Sequence, residues 1–73
     1  MKENVFTIIV ERDHESGWFV GSVAELPGCY SQAKSREELS RNMREAISAY
    51  LSVSPLEEQA HEYIGIERLP IPA

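Results

Sequence analysis

The stretch from Ser35 to Leu51 spells a capped amphipathic helix, and this element limits what the other residues can build. Ser35-Arg36-Glu37-Glu38 has the Ser-x-x-Glu form of a capping box. In that motif Ser35 caps helix amides and Glu38 reaches back to the Ser35 amide. Leu39, Met43, Ala46, Ile47, Tyr50 and Leu51 then recur at helical spacing and gather on one face. Arg36, Glu37, Ser40, Arg41 and Arg44 make the wet face, with Glu37 and Arg41 at a supportive i,i+4 spacing. The pattern predicts a helix from about Arg36 to Ser52. Its apolar stripe must be buried against a second layer.

The residues before it supply that layer. Val5 to Arg12 is rich in β-branched and aromatic residues and reads as a strand. Asp13-His14-Glu15-Ser16-Gly17 is polar, ends in glycine and reads as a turn. Trp18 to Val23 is a second strand, and the two form a hairpin. Leu26-Pro27-Gly28-Cys29 must then interrupt the sheet as a structural turn. Proline fixes φ and removes a donor, and Gly28 is expected at positive φ. Cys29 to Ala33 is a short third strand. Beyond the helix, Ser54-Pro55-Leu56-Glu57 repeats the capping pattern with proline at the first helical position, predicting a short helix over roughly Pro55 to His61. Tyr63 to Leu69 reads as a last strand, ended by Pro70 and Pro72.

The predicted fold is α+β with the order β-β-β-α-β. It has an antiparallel three-stranded meander, a fourth strand parallel to strand one, a sheet order of 3-2-1-4, and the long helix on one face. The crossover into strand four should be right-handed.

Composition limits the functional classes. At 73 residues the chain is one domain, residues 1–73, with seven Lys+Arg against twelve Asp+Glu and a net charge of −5. So short a chain buries only ~60% of the surface its unfolded form exposes, so association is expected. Cys29 is the single cysteine, which excludes an intrachain disulfide and a multi-cysteine zinc site. The longest apolar run, Val5 to Val10, is far short of the ~20 residues of a membrane span. Met1-Lys2-Glu3-Asn4 lacks the form of a signal peptide, so the expected compartment is the cytoplasm. The acidic balance disfavours nucleic acid and anionic membranes and suits a basic protein partner.

The chain offers little chemistry. Cys29 follows a tight turn, with nothing in the sequence to place His14 or His61 beside it, and reads as a structural, half-buried thiol. His14 and His61 read as solvated residues rather than metal ligands. The carboxylates fall at strand ends, turns and the wet helix face, where no dry cleft would pair them for acid–base work. No glycine-rich phosphate cradle is present. Gly17, Gly21, Gly28 and Gly65 are isolated and read as turn or close-packing positions. No catalytic, cofactor-binding or metal residue is therefore expected, and the chain does not read as an enzyme.

A set of spaced residues carries a resemblance. Gly17-Trp18-Phe19-Val20, Glu25-Leu26-Pro27-Gly28-Cys29, Ser31, and Ser35-x-Glu37-Glu38-Leu39-x-x-Asn42-x-x-Glu45-Ala46-Ile47 resemble the signature of the HicB-like antitoxin family. The match spans about Val5 to Leu51. Ala24, Ser31, Ala33, Ser35 and Leu39 depart from that pattern but keep its turn and cap chemistry. The resemblance implies a partial ribonuclease H-like fold. It also implies a role in binding and silencing a small basic toxin of the HicA type that cleaves RNA. Family members often add a DNA-binding domain of helix-turn-helix or ribbon-helix-helix type. The sequence to Ala73 has none, so operator binding is not expected of it. Strand one carries no internal carboxylate, so ribonuclease H metal chemistry is not expected either.

The alternative reading is a stand-alone, self-associating adaptor or regulatory protein with no catalytic activity. Strands one and two put apolar groups on both faces of the sheet, and one helix can cover only one of them. Val5, Ile9, Trp18 and Val20 are the candidate surface for a second copy or another partner, and a homodimer or higher oligomer is expected.

Overall fold

The computed structural model describes residues 4–54 and 61–72. The polar turn at residues 13–17 closes as expected and fixes the first hairpin. The Asp13 amide donates to the Trp18 carbonyl at 2.9 Å, and the Gly17 amide to the Asp13 carbonyl at 2.8 Å. Gly17 takes φ +78°, which a side chain would resist. Strand β1 (Ile8–Arg12) pairs antiparallel with β2 (Phe19–Val23), Ile8 opposite Val23 and Arg12 opposite Phe19. Strand β3 (Tyr30–Ala33) pairs antiparallel with the other edge of β2, Phe19 opposite Ala33 and Ser22 opposite Tyr30. The sheet order is β1-β2-β3.

Helix α1 (Arg36–Val53) begins at Ser35, whose hydroxyl accepts the Glu38 amide at 3.1 Å. This is the Ser half of the expected capping box. Among the described residues the Glu38 side chain makes no return bond to the Ser35 amide. At the other end the Ser54 amide donates to the Tyr50 carbonyl at 2.8 Å. The helix lies over β3 and β2 on one face of the sheet. A hydrogen bond from Asn42 Nδ2 to the Gln32 carbonyl, 3.1 Å, ties it to β3.

Alternation sorts the sheet side chains into two sets. Phe6, Ile8, Val10, Phe19, Val23 and Ala33 look toward the helix, joined by Leu39 and Met43 from α1. Gly21 sits in this face because the helix leaves no room there. A Cβ on it would lie 3.0 Å from Met43 Sδ and 3.2 Å from Ile8 Cγ2. Residues 9, 18, 20, 22, 30 and 32 look away from the helix.

The Leu26-Pro27-Gly28-Cys29 turn does more than reverse the chain. The Leu26 amide donates to the Val23 carbonyl at 3.2 Å, the Cys29 amide to the Leu26 carbonyl at 3.1 Å, and the Val23 amide to the Cys29 carbonyl at 3.0 Å. These bonds fold the loop inward. Leu26 is fully buried and joins Val23, Cys29, Ala33, Leu39 and Met43 in the core. Gly28 adopts φ +83°, as its place after Pro27 predicts. Cys29 is buried at 4% exposure rather than half-buried, because its strand-end position faces the helix.

The end of the chain departs from expectation. Most of the short helix predicted from Pro55 lies outside the described residues, and His61 at its end is not helical. The fourth strand expected over Tyr63 to Leu69 does not form within the chain. Ile64, Ile66, Leu69 and Ile71 are 66–85% exposed instead. The radius of gyration is 14.0 Å, against about 11 Å for a compact chain of this length. A strand needs a ladder partner as well as a strand-like pattern, and residues 61–72 have none.

Two substitutions in the turn test its double role. Leu26→Ala removes a fully buried side chain from a six-residue core and should cost about 2–5 kcal/mol. Gly28→Val forces a β-branched residue into left-handed backbone and should cost ~1–3 kcal/mol. At roughly 4–8 °C per kcal/mol for so small a domain, both should lower Tm clearly in thermal melts followed by circular dichroism. An unchanged melt for Gly28→Val would mean that the turn stores no backbone constraint.

Candidate interaction surfaces

Cys29, His14 and His61 lie on different parts of the fold. Cys29 is buried, and burial pushes its thiol up, away from the thiolate form that reacts. His14 lies exposed in the β1–β2 turn, and His61 lies exposed near Val5 and Glu25. Among the described residues no group of three His, Cys, Asp or Glu side chains converges to hold a metal ion. No described helix is long and apolar enough to cross a membrane.

Two carboxylates have structural work. Asp13 organises the hairpin turn. Its oxygens accept the Ser16 hydroxyl at 2.9 Å and the Glu15 amide at 3.2 Å, which hold its carboxyl below the ordinary range. Glu25 reaches from the β2–β3 turn across to the segment before β1, where its Oε1 accepts the Thr7 amide at 2.8 Å. Partial burial pushes the Glu25 carboxyl up, but the bonds from Thr7 outweigh it and leave the group below the ordinary range. Position in the chain marks Glu25 only as a turn residue. Its partner is eighteen residues away, so no local pattern announces the bond.

Two apolar surfaces stand out among the described residues, one on each side of the sheet. The first is the face away from the helix, which carries Ile9, Trp18 and Val20. Ile9 is 37% exposed, and Trp18 and Val20 are half-buried. Tyr30, 68% exposed, extends the patch onto β3. The Lys34 ammonium lies 5.4 Å from the Trp18 ring centroid, so part of this face is roofed by a lysine stem. Val5, the fourth residue of the group, is 84% exposed and lies ahead of β1 in the sequence.

The second surface was not legible in the sequence. Because α1 sits over β2 and β3, the helix-facing side chains of β1 are only partly covered. Phe6, Ile8 and Val10 form one wall of a groove of about 390 Å³, and Leu39, Met43 and Ile47 form the other. Arg36 and Arg44 stand at its rim. Helical periodicity assigns those arginines to the wet face, and they are exposed. The periodicity does not reveal that the wet face borders an apolar slot.

The Thr7–Glu25 bond makes a pH prediction. A carboxyl held below its unfolded value stabilises the fold at pH above that value, and the contribution is lost as pH falls through the folded value. Stability should therefore decline as the pH is lowered through and below the ordinary carboxylate range. Glu25→Gln, which keeps an acceptor but cannot titrate, should flatten that limb. Urea melts of the two proteins across acidic pH compare them, and parallel curves would remove Glu25 as a contributor.

Comparison with known proteins finds relatives of this chain over most of its length. The model of a family described as the HicB_like antitoxin of bacterial toxin-antitoxin system matches residues 6–68. A UPF0150 protein of Archaeoglobus fulgidus is 45% identical over 62 residues, which cover 85% of this chain and 87% of that one. A UPF0150 protein of Synechocystis is 38% identical over 71 residues, covering 97% of this chain and all of that one. A third, from Thermotoga maritima, is 31% identical over 67 residues, covering 92% of this chain and 89% of that protein. No solved structure matches the chain significantly.

Proposed function

This chain belongs to the HicB-like antitoxin family, and we propose that it binds and neutralises a small basic RNA-cleaving toxin of the HicA type. The family match over residues 6–68 carries the reading. A net charge of −5 supports it, since an acidic surface speeds encounter with a cationic partner. Its own chemistry is non-catalytic. Neutralisation works by covering the toxin's RNA-binding surface, which needs shape and charge from this chain and no reactive group.

The proposal extends to the working assembly. Residues 1–73 act as one module in the cytoplasm. The module self-associates, because the core is small and the described helix leaves apolar side chains of the sheet uncovered. Val5, Ile9, Trp18 and Val20 form the partner surface, taken by the toxin or a second copy. In the assembled protein a fourth strand completes a partial ribonuclease H-like sheet beside β1. The uncovered apolar face equally supports a self-associating adaptor with no toxin, and the toxin experiment separates the two.

Co-expression with a small basic RNA-cleaving toxin of the HicA type should relieve the growth arrest that such a toxin causes, and the two proteins should copurify. Trp18, the chain's one tryptophan, reports directly on the proposed surface. Its fluorescence emission should shift when the toxin is added. Ile9→Glu places a charge on that face and should weaken the complex at least about tenfold, or about 1.4 kcal/mol. Continued RNA cleavage by the toxin at saturating antitoxin would overturn the reading.

A further inference from the structure

We propose that residues 63–69 form an exchanged strand that pairs with the free edge of β1 in a second copy of this chain. The proposal deepens the self-association put forward above and does not depend on the toxin. It starts from the direction of the β1 backbone groups. The Thr7 carbonyl accepts the Ala24 amide and the Asp13 amide donates to the Trp18 carbonyl, so odd-numbered residues of this strand point toward β2. Antiparallel alternation turns the N–H and C=O groups of Phe6, Ile8, Val10 and Arg12 the other way. Among the described residues no strand lies beside that edge. An unpaired edge flanked by apolar side chains is a template for another strand.

The chain carries a segment that fits this edge and leaves it unused. Residues 63–69 alternate as a strand and match in length the seven-residue stretch 6–12 that carries the outward groups of Phe6, Ile8, Val10 and Arg12. Ile64 and Ile66, 85% and 69% exposed, share one face of such a strand. Laid beside β1, they would enter the groove walled by Phe6, Ile8, Val10 and Met43. The same step would remove two of the largest exposed side chains from water. Pro70 and Pro72 lack amide donors and would end the pairing there.

A second copy is the favoured occupant for two reasons. First, the chain folded by itself leaves Ile64, Ile66 and Leu69 exposed and unpaired with its own β1. Second, every copy has one such segment and one free β1 edge. A two-fold pair uses both of each and leaves neither open, which closes the assembly as a dimer. A partner of another kind would satisfy the edge and leave the segment bare.

The test combines mass with amide exchange on the intact protein. Light scattering at micromolar concentration should give twice 8.3 kDa. In the same sample the Ile8 and Val10 amides should exchange slowly, on the order of tenfold or more below an exposed amide. The double variant Ile64→Asp, Ile66→Asp changes side chains that are exposed in the single chain, so its helix content should be unchanged by circular dichroism. It should run at 8.3 kDa with fast Ile8 and Val10 exchange. A dimer that survives the double variant, or one in which those two amides exchange freely, would place the contact on the Trp18 face. That result would overturn the exchange and leave self-association standing. A monomer with slow Ile8 and Val10 amides would mean that the segment folds back on its own β1, and a monomer with fast ones that the edge is open. Either overturns the exchange and the self-association together, and neither bears on toxin binding.

Discussion

Six side chains of the described residues, Val23, Leu26, Cys29, Ala33, Leu39 and Met43, are withdrawn from water with apolar groups. They meet where the β2–β3 turn folds under the start of α1, and the rest of the fold is arranged to protect that contact. Ser35 fixes the first turn of the helix, so that Leu39 and Met43 arrive in phase. Gly21 lets Met43 reach the sheet. Leu26 fills the space below, and it can point inward only because Pro27 and Gly28 turn the backbone at once behind it. The loop is therefore part of the core, and a substitution there acts on packing before it acts on any surface.

What the sequence discloses follows the range of the interactions. The helix spans Arg36–Val53, one residue beyond its predicted end, because capping and 3.6-residue periodicity are local signals. The three strands fall within their predicted bounds, and Gly28 takes its predicted positive φ, for the same reason. The Glu25–Thr7 bond, the inward Leu26 and the β1–α1 groove depend on residues far apart, and no local pattern encodes them. Residues 63–69 are the instructive case. Their alternation is strand-like, yet a strand is a relation between two segments, and within the chain the second segment is not engaged.

The placement of α1 explains why the candidate surfaces differ in character. A helix about 10 Å wide can shield roughly two strands spaced ~4.8 Å apart. Here it takes β2 and β3, and Asn42 holds it there through the Gln32 carbonyl. The cost falls on β1, whose helix-facing side chains are left half-covered beside the Arg36 and Arg44 rim. Among the described residues no helix covers the opposite face, and Lys34 lies over Trp18 there. The slot is apolar inside and cationic at its lip; the open face is aromatic, with Glu11 and Lys34 beside it.

These two surfaces belong to opposite parities of the same strands, and this bears on how one small module could serve two partners. Phe6, Ile8 and Val10 look toward the helix, while Ile9 and, across the ladder, Val20 look away. A strand added along the β1 edge would engage outward backbone groups of even-numbered residues and fill the slot on the helix side. It would leave the Ile9, Trp18 and Val20 side uncovered. A dimer built in this way would present two such faces related by its two-fold axis, each open to a further partner. Self-association and partner binding then need not compete for the same side chains. The side-chain period of two, which lets the helix bury only half of each strand, also separates the two tasks.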